Sequence, residues 1–449
     1  MASKTHTTGS QHHSTAPSRS KPSGPSPPTS SPPSSAHIPP SIAAAKARTN
    51  RSLQTTAHFL ILFNVYGIPL SFGPYLEYYH TSRPHLSLPQ IAAVSALQLF
   101  SLFSSLGFAV LQYQSGYWKS TSVVAGAVVV VCQFALPACK DFVALLLVQG
   151  LGVGMGLGVL GGLSTLCLAS HYRNNVPLVS MQGVSYGLFG ALVFTAVPYA
   201  GFQRDNFALT VCGSAGLSLA TLLIALFMLR RSKTYPRFDF RRSSQTFKFQ
   251  GQATLVFMVG YLWVFMGLFT FPVYIVLMLS SGPGYAWPAT PTSMLMGAYA
   301  AGTFTASEVA SRRTRTAFGP VNSFTVAAIA AGTCFLNPAW MPYTHVAWPC
   351  VIVYGLALGA ILALYAKVTT VFHWSRVAWH PDMTLRMIVF MALAGLAAGA
   401  GILTTALIVE HGDGDFRMAM TLPGATMIAG GLLVFWARYK RGGRFFMAI

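Results

Sequence analysis

The chain has 449 residues, 53% hydrophobic and 8% charged, and its 29 Lys and Arg against 9 Asp and Glu give a formal charge of +20. A soluble domain carries about 25% charged residues, so this composition argues against most soluble enzymes. It argues against a nucleic-acid binder too, because the basic residues fall in short gaps between apolar runs and at the two ends, not on one polar face.

Met1 to about Thr56 is rich in Ser, Thr and Pro, with no acidic residue and almost no large apolar one. Such a stretch buries too little surface to fold, so residues 1–56 are expected as a disordered cytosolic tail. It has no apolar h-region, so a cleaved secretory signal is not expected, and the first membrane helix should do the targeting. Asn50-Arg51-Ser52 matches a glycosylation acceptor pattern, which on a cytosolic tail is a chance match.

Twelve apolar stretches follow. A helix rising 1.5 Å per residue needs about 20 residues to cross a bilayer core. The first six predicted spans are Ala57–Tyr79, Gln90–Gln112, Thr121–Cys139, Phe142–Ser170, Val176–Gly201 and Phe207–Leu229. The second six are Ala253–Ser280, Thr292–Ala310, Ala317–Pro338, Val346–Phe372, Leu385–Glu410 and Met418–Trp436. A basic connection over 230–252 divides the chain into two six-helix halves, 57–229 and 253–437, and residues 438–449 form a basic tail. The expected fold class is all-α, a polytopic membrane protein.

Alternate connections differ in charge. One side carries Lys119, Arg173, the cluster from Arg230 to Lys248, then Arg312, Arg313, Arg315, Arg376 and Arg386, and finally Arg438 to Arg444. The other carries Arg83, Lys140-Asp141, Arg204-Asp205, Glu410, Asp413 and Asp415. The basic side is expected in the cytosol, with both termini there. The plasma membrane is the default location, with a vacuolar membrane as the alternative. The six cysteines lie in or beside apolar runs, with no CxxC pair, and read as small buried residues.

Local motifs narrow the reading. Asn64-Val-Tyr-Gly-Ile-Pro-Leu-Ser-Phe-Gly-Pro-Tyr-Leu-Glu-Tyr-Tyr79, Ser115-Gly-Tyr-Trp-Lys119, the glycine-rich run Gln149–Gly158 and Ser170-His-Tyr-Arg173 stand in order. So do Gly183, Gly187, Gly190 and Pro198. The ordered set resembles the fungal monocarboxylate-transporter-like family of the major facilitator superfamily, well over residues 57 to 230 and more weakly beyond. The resemblance implies two six-helix halves that alternate access to a midplane site, with helices one, four, seven and ten lining it. In that family, the connections after helices two and eight hold an acidic and a basic residue that brace one closed state. Here Gln114, Ser115 and Ser311 occupy the corresponding places, leaving Gly116, Lys119, Arg312 and Arg315 as the gating residues the resemblance implies. The lysine of helix one and the Asp–Arg pair of helix eight that serve carboxylate binding in mammalian members are absent, so a monocarboxylate is a poor substrate expectation.

Ionisable residues at membrane depth are costly and usually functional. Glu308, near the cytosolic end of the eighth span, is the candidate proton carrier, and its plainer reading is an i,i+4 partner of Arg312. The candidate substrate residues are uncharged: Asn64, Tyr66, Gln98, Gln149, Gln182, Tyr186, Trp263, Tyr274, Tyr299 and Tyr354. Amides and aromatics suit a weakly charged or aromatic compound held by stacking and a few hydrogen bonds. For each, the plainer reading is a helix–helix hydrogen bond. The glycines from Gly152 to Gly158 read as a packing face and not as a phosphate loop, since no lysine stands by. No HExxH pattern or Cys/His cluster appears, so no metal, cofactor or enzymatic activity is expected. The expected partners are a small-molecule substrate, the lipid bilayer and, through Glu308, protons. No nucleic acid is expected, and the chain is expected to be a monomer. The leading expectation is a secondary transporter, with export favoured by the charge-poor interior. Its rival is a non-transporting sensor or scaffold that has lost the gating acids.

Overall fold

The computed structural model describes residues 40–172, 176–202, 206–232, 252–280, 290–310, 319–336, 344–372, 382–412 and 414–442. The membrane-spanning helices all belong to the unit Arg48–Ile449. Among the described residues there are helices and connections but no strand.

Ten helices are long and apolar enough to cross a membrane. They are α1 (Thr49–Ser82), α2 (Leu88–Gln114), α3 (Trp118–Ala138), α4 (Phe142–His171), α5 (Val179–Phe202) and α6 (Phe207–Met228), then α7 (Gln252–Ser280), α10 (Ala347–Thr370), α11 (Leu385–His411) and α12 (Phe416–Lys440). Two more complete the series. The 20-residue α8 (Thr290–Val309) is diluted by Thr, Ser, Gly and Ala, and α9 (Pro320–Phe335) has 16 residues. Each predicted span therefore falls on one helix.

The ends carry two corrections. The first helix starts at Pro40 and not near Ala57, because the alanine-rich run before Thr49 favours helix. Its Gln54 Oε1 accepts from the Arg230 backbone N–H at 2.8 Å, and Thr55 Oγ1 lies 2.9 Å from Tyr172 Oη, tying α1 to the ends of α6 and α4. At the other end the twelfth helix runs on to Gly442, beyond the expected start of the basic tail. Arg438 is consequently a helix residue, 5% exposed, donating to Asn322 Oδ1 on α9.

Helices in lipid gain little from hydrophobic burial against each other, so close contact between small residues takes over. The glycine run of α4 does this on two faces. A Cβ on Gly154 would stand 2.6 Å from the Gln98 carbonyl oxygen, and one on Gly158 2.2 Å from that of Leu102, both on α2. Gly152 and Gly156, half a turn away, press instead on Cys132 and Val129 of α3. The same device joins α5 to α1 and α8 to α10, where Gly190 meets Phe63 and Gly359 meets Gly302. It also joins helices of the first six to helices of the last six: Gly395 of α11 lies on Leu99 and Phe103 of α2. The pairs α5–α8 and α2–α11 pack along much of their lengths.

Four helices are irregular inside their spans. α1 breaks at Ser71, α2 at Ser105 and α7 at Phe269, while Leu146–Val153 of α4 is wound as π-helix. The segments after the breaks in α1 and α7, Phe72–Ser82 and Thr270–Ser280, lie against each other. Gly73 sits there so close to the Pro272 carbonyl that a Cβ would come within 2.5 Å of it.

Filling the α4–α2 contact should cost stability. Gly158→Ala is expected to lose roughly 1–3 kcal/mol through overpacking, read as a lower apparent melting temperature of the purified protein in detergent. Gly216→Ala, which meets nothing within 4 Å, should leave the melting temperature unchanged or slightly raised.

Candidate functional site

The breaks in α1 and α7 have a common chemical origin. In an α-helix the carbonyl of residue i accepts the N–H of residue i+4, and proline has none. Pro74 therefore leaves the Leu70 carbonyl without that partner, and Pro272 does the same to Leu268. Both carbonyls are taken up by buried tyrosines: Tyr299 of α8 donates to Leu70 O, and Tyr354 of α10 donates to Leu268 O. The Tyr354 ring is fixed by stacking on Phe271 at 4.1 Å and by an edge contact with Phe335. Tyr274 of α7 likewise donates to Ile402 O of α11 at 2.8 Å.

Between α1, α2, α7 and α10 lies an aromatic seam. Tyr66 of α1 donates to the Tyr365 hydroxyl of α10 at 3.0 Å. Phe103 of α2 meets Phe265 and Phe269 of α7 and Tyr365, at centroid distances of 5.7, 6.0 and 6.4 Å. Tyr261 extends the row, 4.8 Å from Phe265. Helices from both ends of the chain thus meet through rings and one hydroxyl pair.

A second polar cluster lies within the first six helices. Gln149, on the π-helical turn of α4, accepts from the Tyr79 hydroxyl at 3.0 Å. Beside it is a cavity of about 20 Å³, whose polar lining is Ser71, Tyr75, Gln133, Gln149 and Ser214. That volume admits a water molecule, and Gln133 Oε1 has no hydrogen-bond partner among the described residues.

The sequence candidates divide accordingly. Tyr66 belongs to the seam and Gln149 to the cavity, while Tyr299 holds the Leu70 carbonyl of α1. Tyr274 and Tyr354 hold backbone. Asn64 turns to α6, donating to Leu60 O and to Thr221 Oγ1, each at 2.9 Å. Gln98 is buried with neither amide atom partnered among the described residues. Gln182, Tyr186 and Trp263 are not brought to the seam. Gln182 is exposed, Tyr186 is 49% exposed and stacked on Phe59, and Trp263 is 41% exposed on the same stripe of α7 as Leu255 and Val259.

Glu308 is exposed near the end of α8. Gly116 makes the α2–α3 turn at φ +88°, where a side chain would be strained, and Lys119 is exposed beside it. Arg312 and Arg315 lie outside the described residues. Sequence reasoning missed Phe103, Tyr261, Phe265, Phe269 and Tyr365, although the i,i+4 row Tyr261-Phe265-Phe269 was there to be read. It also missed His58, fully buried, with Nδ1 3.0 Å from Ser164 Oγ and Nε2 unpartnered among the described residues. A double-mutant cycle of Tyr66→Phe and Tyr365→Phe should give a coupling of about 0.5–1.5 kcal/mol in unfolding free energy. Tyr66→Phe with Thr221→Val on α6 should be additive.

No protein-family model matches the chain. In sequence it is similar to the MFS-type transporter dbaD of Emericella nidulans, 26% identical over 243 residues covering 54% of this chain and 53% of that protein. It is also similar to the MFS-type transporter eupM of a Phoma species, 27% identical over 179 residues covering 40% of this chain and 63% of that protein. The matches thus span between half and two thirds of these relatives' lengths. Both relatives are named as transporters and not as enzymes. Among solved structures, the human organic anion transporter MFSD10 (TETRAN) superposes with a TM-score of 0.59 at 17% identity, covering 86% of this chain and 99% of that one. The nucleoside transporter NupG superposes with a TM-score of 0.65 at 15% identity, covering 88% and 99%. The chain has the major facilitator fold, and its sequence relatives are transporters of that superfamily.

Proposed function

We propose that the chain is a secondary transporter that moves a small, weakly charged aromatic solute by alternating access, with helices α1–α6 and α7–α12 rocking as two halves. The observation that carries this reading is the seam of Tyr66, Phe103, Phe265, Phe269 and Tyr365. It lies where helices of the first six meet helices of the last six, and its rings and single hydroxyl pair offer stacking and hydrogen bonds without a fixed charge. An anion would have to leave water for that seam with no cation among these five residues to receive it. The transporter names of the two sequence relatives support the activity, and the basic connections after α2, α4 and α6 support cytosolic termini. Export is the direction we favour, on the charge-poor interior of the chain.

Untargeted metabolite profiling of medium and cytosol, with and without the gene, tests the proposal. A neutral or weakly charged aromatic compound should accumulate inside when the gene is lost and reappear outside on re-expression. In proteoliposomes its flux should saturate, and Phe103→Ala should raise its KM several-fold by removing a stacking surface worth about 1 kcal/mol. Redistribution of a small carboxylate instead would overturn the substrate class. No redistribution, with the protein confirmed at the membrane, would favour a non-transporting sensor.

A further inference from the structure

The two proline-orphaned carbonyls are chemically alike but differently placed. Leu268 O is held by Tyr354, and both residues belong to the last six helices. Leu70 O is held by Tyr299, and this bond joins the first six helices to the last six. Tyr299 and Leu70 are buried, and Phe72–Ser82 and Thr270–Ser280 meet just beyond them. If the halves part at the end marked by Gly73 and Pro272, the Tyr354 bond travels intact within its half. The Tyr299 bond must break.

Breaking it leaves two unmet groups facing each other across the opening: a carbonyl that Pro74 cannot serve and a phenol hydroxyl. Near mid-membrane, neither is cheaply left alone. We infer that the Leu70 carbonyl and the Tyr299 hydroxyl are a solute-binding pair, closed on each other in this conformation and parted to receive a hydrogen-bonding group of the solute. The inference rests on the alternating-access reading and narrows its substrate class. The carbonyl accepts only, so the solute must donate to it. The phenol hydroxyl, released from the carbonyl, donates to an acceptor on the solute. One hydroxyl group meets both demands, since it donates once and accepts twice. An ionised carboxylate offers acceptors only and would leave Leu70 O unmet. The class is thus a neutral solute carrying a hydroxyl beside an aromatic body that the seam can stack.

Hydrogen–deuterium exchange on the full chain in detergent reads the bond directly. Tyr299→Phe should speed exchange in both Phe72–Ser82 and Thr270–Ser280 by roughly tenfold, because the closed form loses a bond that the open form never had. Tyr354→Phe should leave Phe72–Ser82 unchanged. Pro74→Ala restores an N–H for Leu70 O, so in that background Tyr299→Phe should have little effect. A tyrosine that acted through packing alone, without serving the Leu70 carbonyl, would show no such rescue. Equal exchange in wild type and Tyr299→Phe, or an effect that Pro74→Ala does not diminish, would overturn the pairing while leaving transport itself intact.

The solute side is read by binding of the compound found in profiling against its O-methyl derivative. Methylation should weaken binding at least tenfold in the wild type and in Tyr299→Phe alike, because the lost donor serves Leu70 O, and much less in Pro74→Ala, where a backbone N–H serves that carbonyl. A transported compound with no hydroxyl donor, or equal binding of the methyl ether, would overturn the inference. If no compound is redistributed while exchange still follows the expected pattern, the transport reading is what has failed.

Discussion

At membrane depth there is no water to satisfy a backbone group that a helix leaves unpaired, and this constraint organises the whole interior. A proline in a spanning helix frees a carbonyl and demands a donor from elsewhere. In α1 and α7 the donors are tyrosines from α8 and α10, so the two breaks dictate which helices must stand beside which. The glycine contacts serve the same end by another route. Where Gly154 and Gly158 let α4 sit on the α2 backbone, dispersion between closely fitted surfaces replaces the hydrophobic drive that lipid removes.

The scarcity of charge then has a structural meaning. Salt bridges between exposed ends of helices are strong gates only when they are desolvated, and each partner pays for leaving water. This chain has Gln114, Ser115 and Ser311 where the resembling family places acidic and basic braces. Among the described residues, Tyr299 to the Leu70 carbonyl, Tyr66 to Tyr365 and Phe103 to its ring partners join the first six helices to the last six without charge, while Glu77 of α1 meets Ser280 of α7 towards the end of their contact. Such neutral contacts are individually worth about 1 kcal/mol, which is what the proposed alternating access would require of surfaces that separate and rejoin. The same interior holds polar groups that have no partner among the described residues, Gln98, His58 Nε2 and Asn64 Oδ1. In a packed membrane bundle, these are places where water or a second conformation supplies a partner.

The spans were legible because length and apolarity alone define them, and all twelve predicted segments coincide with helices. The glycine face of α4 was legible too, since small residues at i,i+4 spacing mean close approach whatever the neighbour. Which side a residue faces was not. A helix between lipid and protein is apolar all round, so periodicity does not separate the two environments. Trp263 and Tyr186 look like cavity residues by type but lie on exposed stripes, while Phe103 and Phe265 look like lipid-facing residues and form the seam. The role of Tyr299 was hidden for a different reason. Its partner is a carbonyl, which no residue type announces, and only the spacing of Leu70 to Pro74 betrays it. The first helix was underestimated because proline and serine upstream masked an alanine-rich start.

A carrier that rocks between two states needs them close in free energy, since a gap of several kcal/mol would leave one state too rare to cycle. Every contact across the rocking surface therefore has to be nearly replaceable in the other state. Side-chain pairs meet this by exchanging partners with water, but a proline-orphaned carbonyl cannot rearrange, because it is fixed in the backbone. In the proposed cycle, placing one at the moving surface would make the open state costly until something else donates to it, and that asymmetry would couple opening to occupancy. Placing the equivalent carbonyl of α7 under a tyrosine that moves with it keeps the second helix rigid through the same motion. The two breaks share one chemistry, and the difference between them lies wholly in which helix carries the donor.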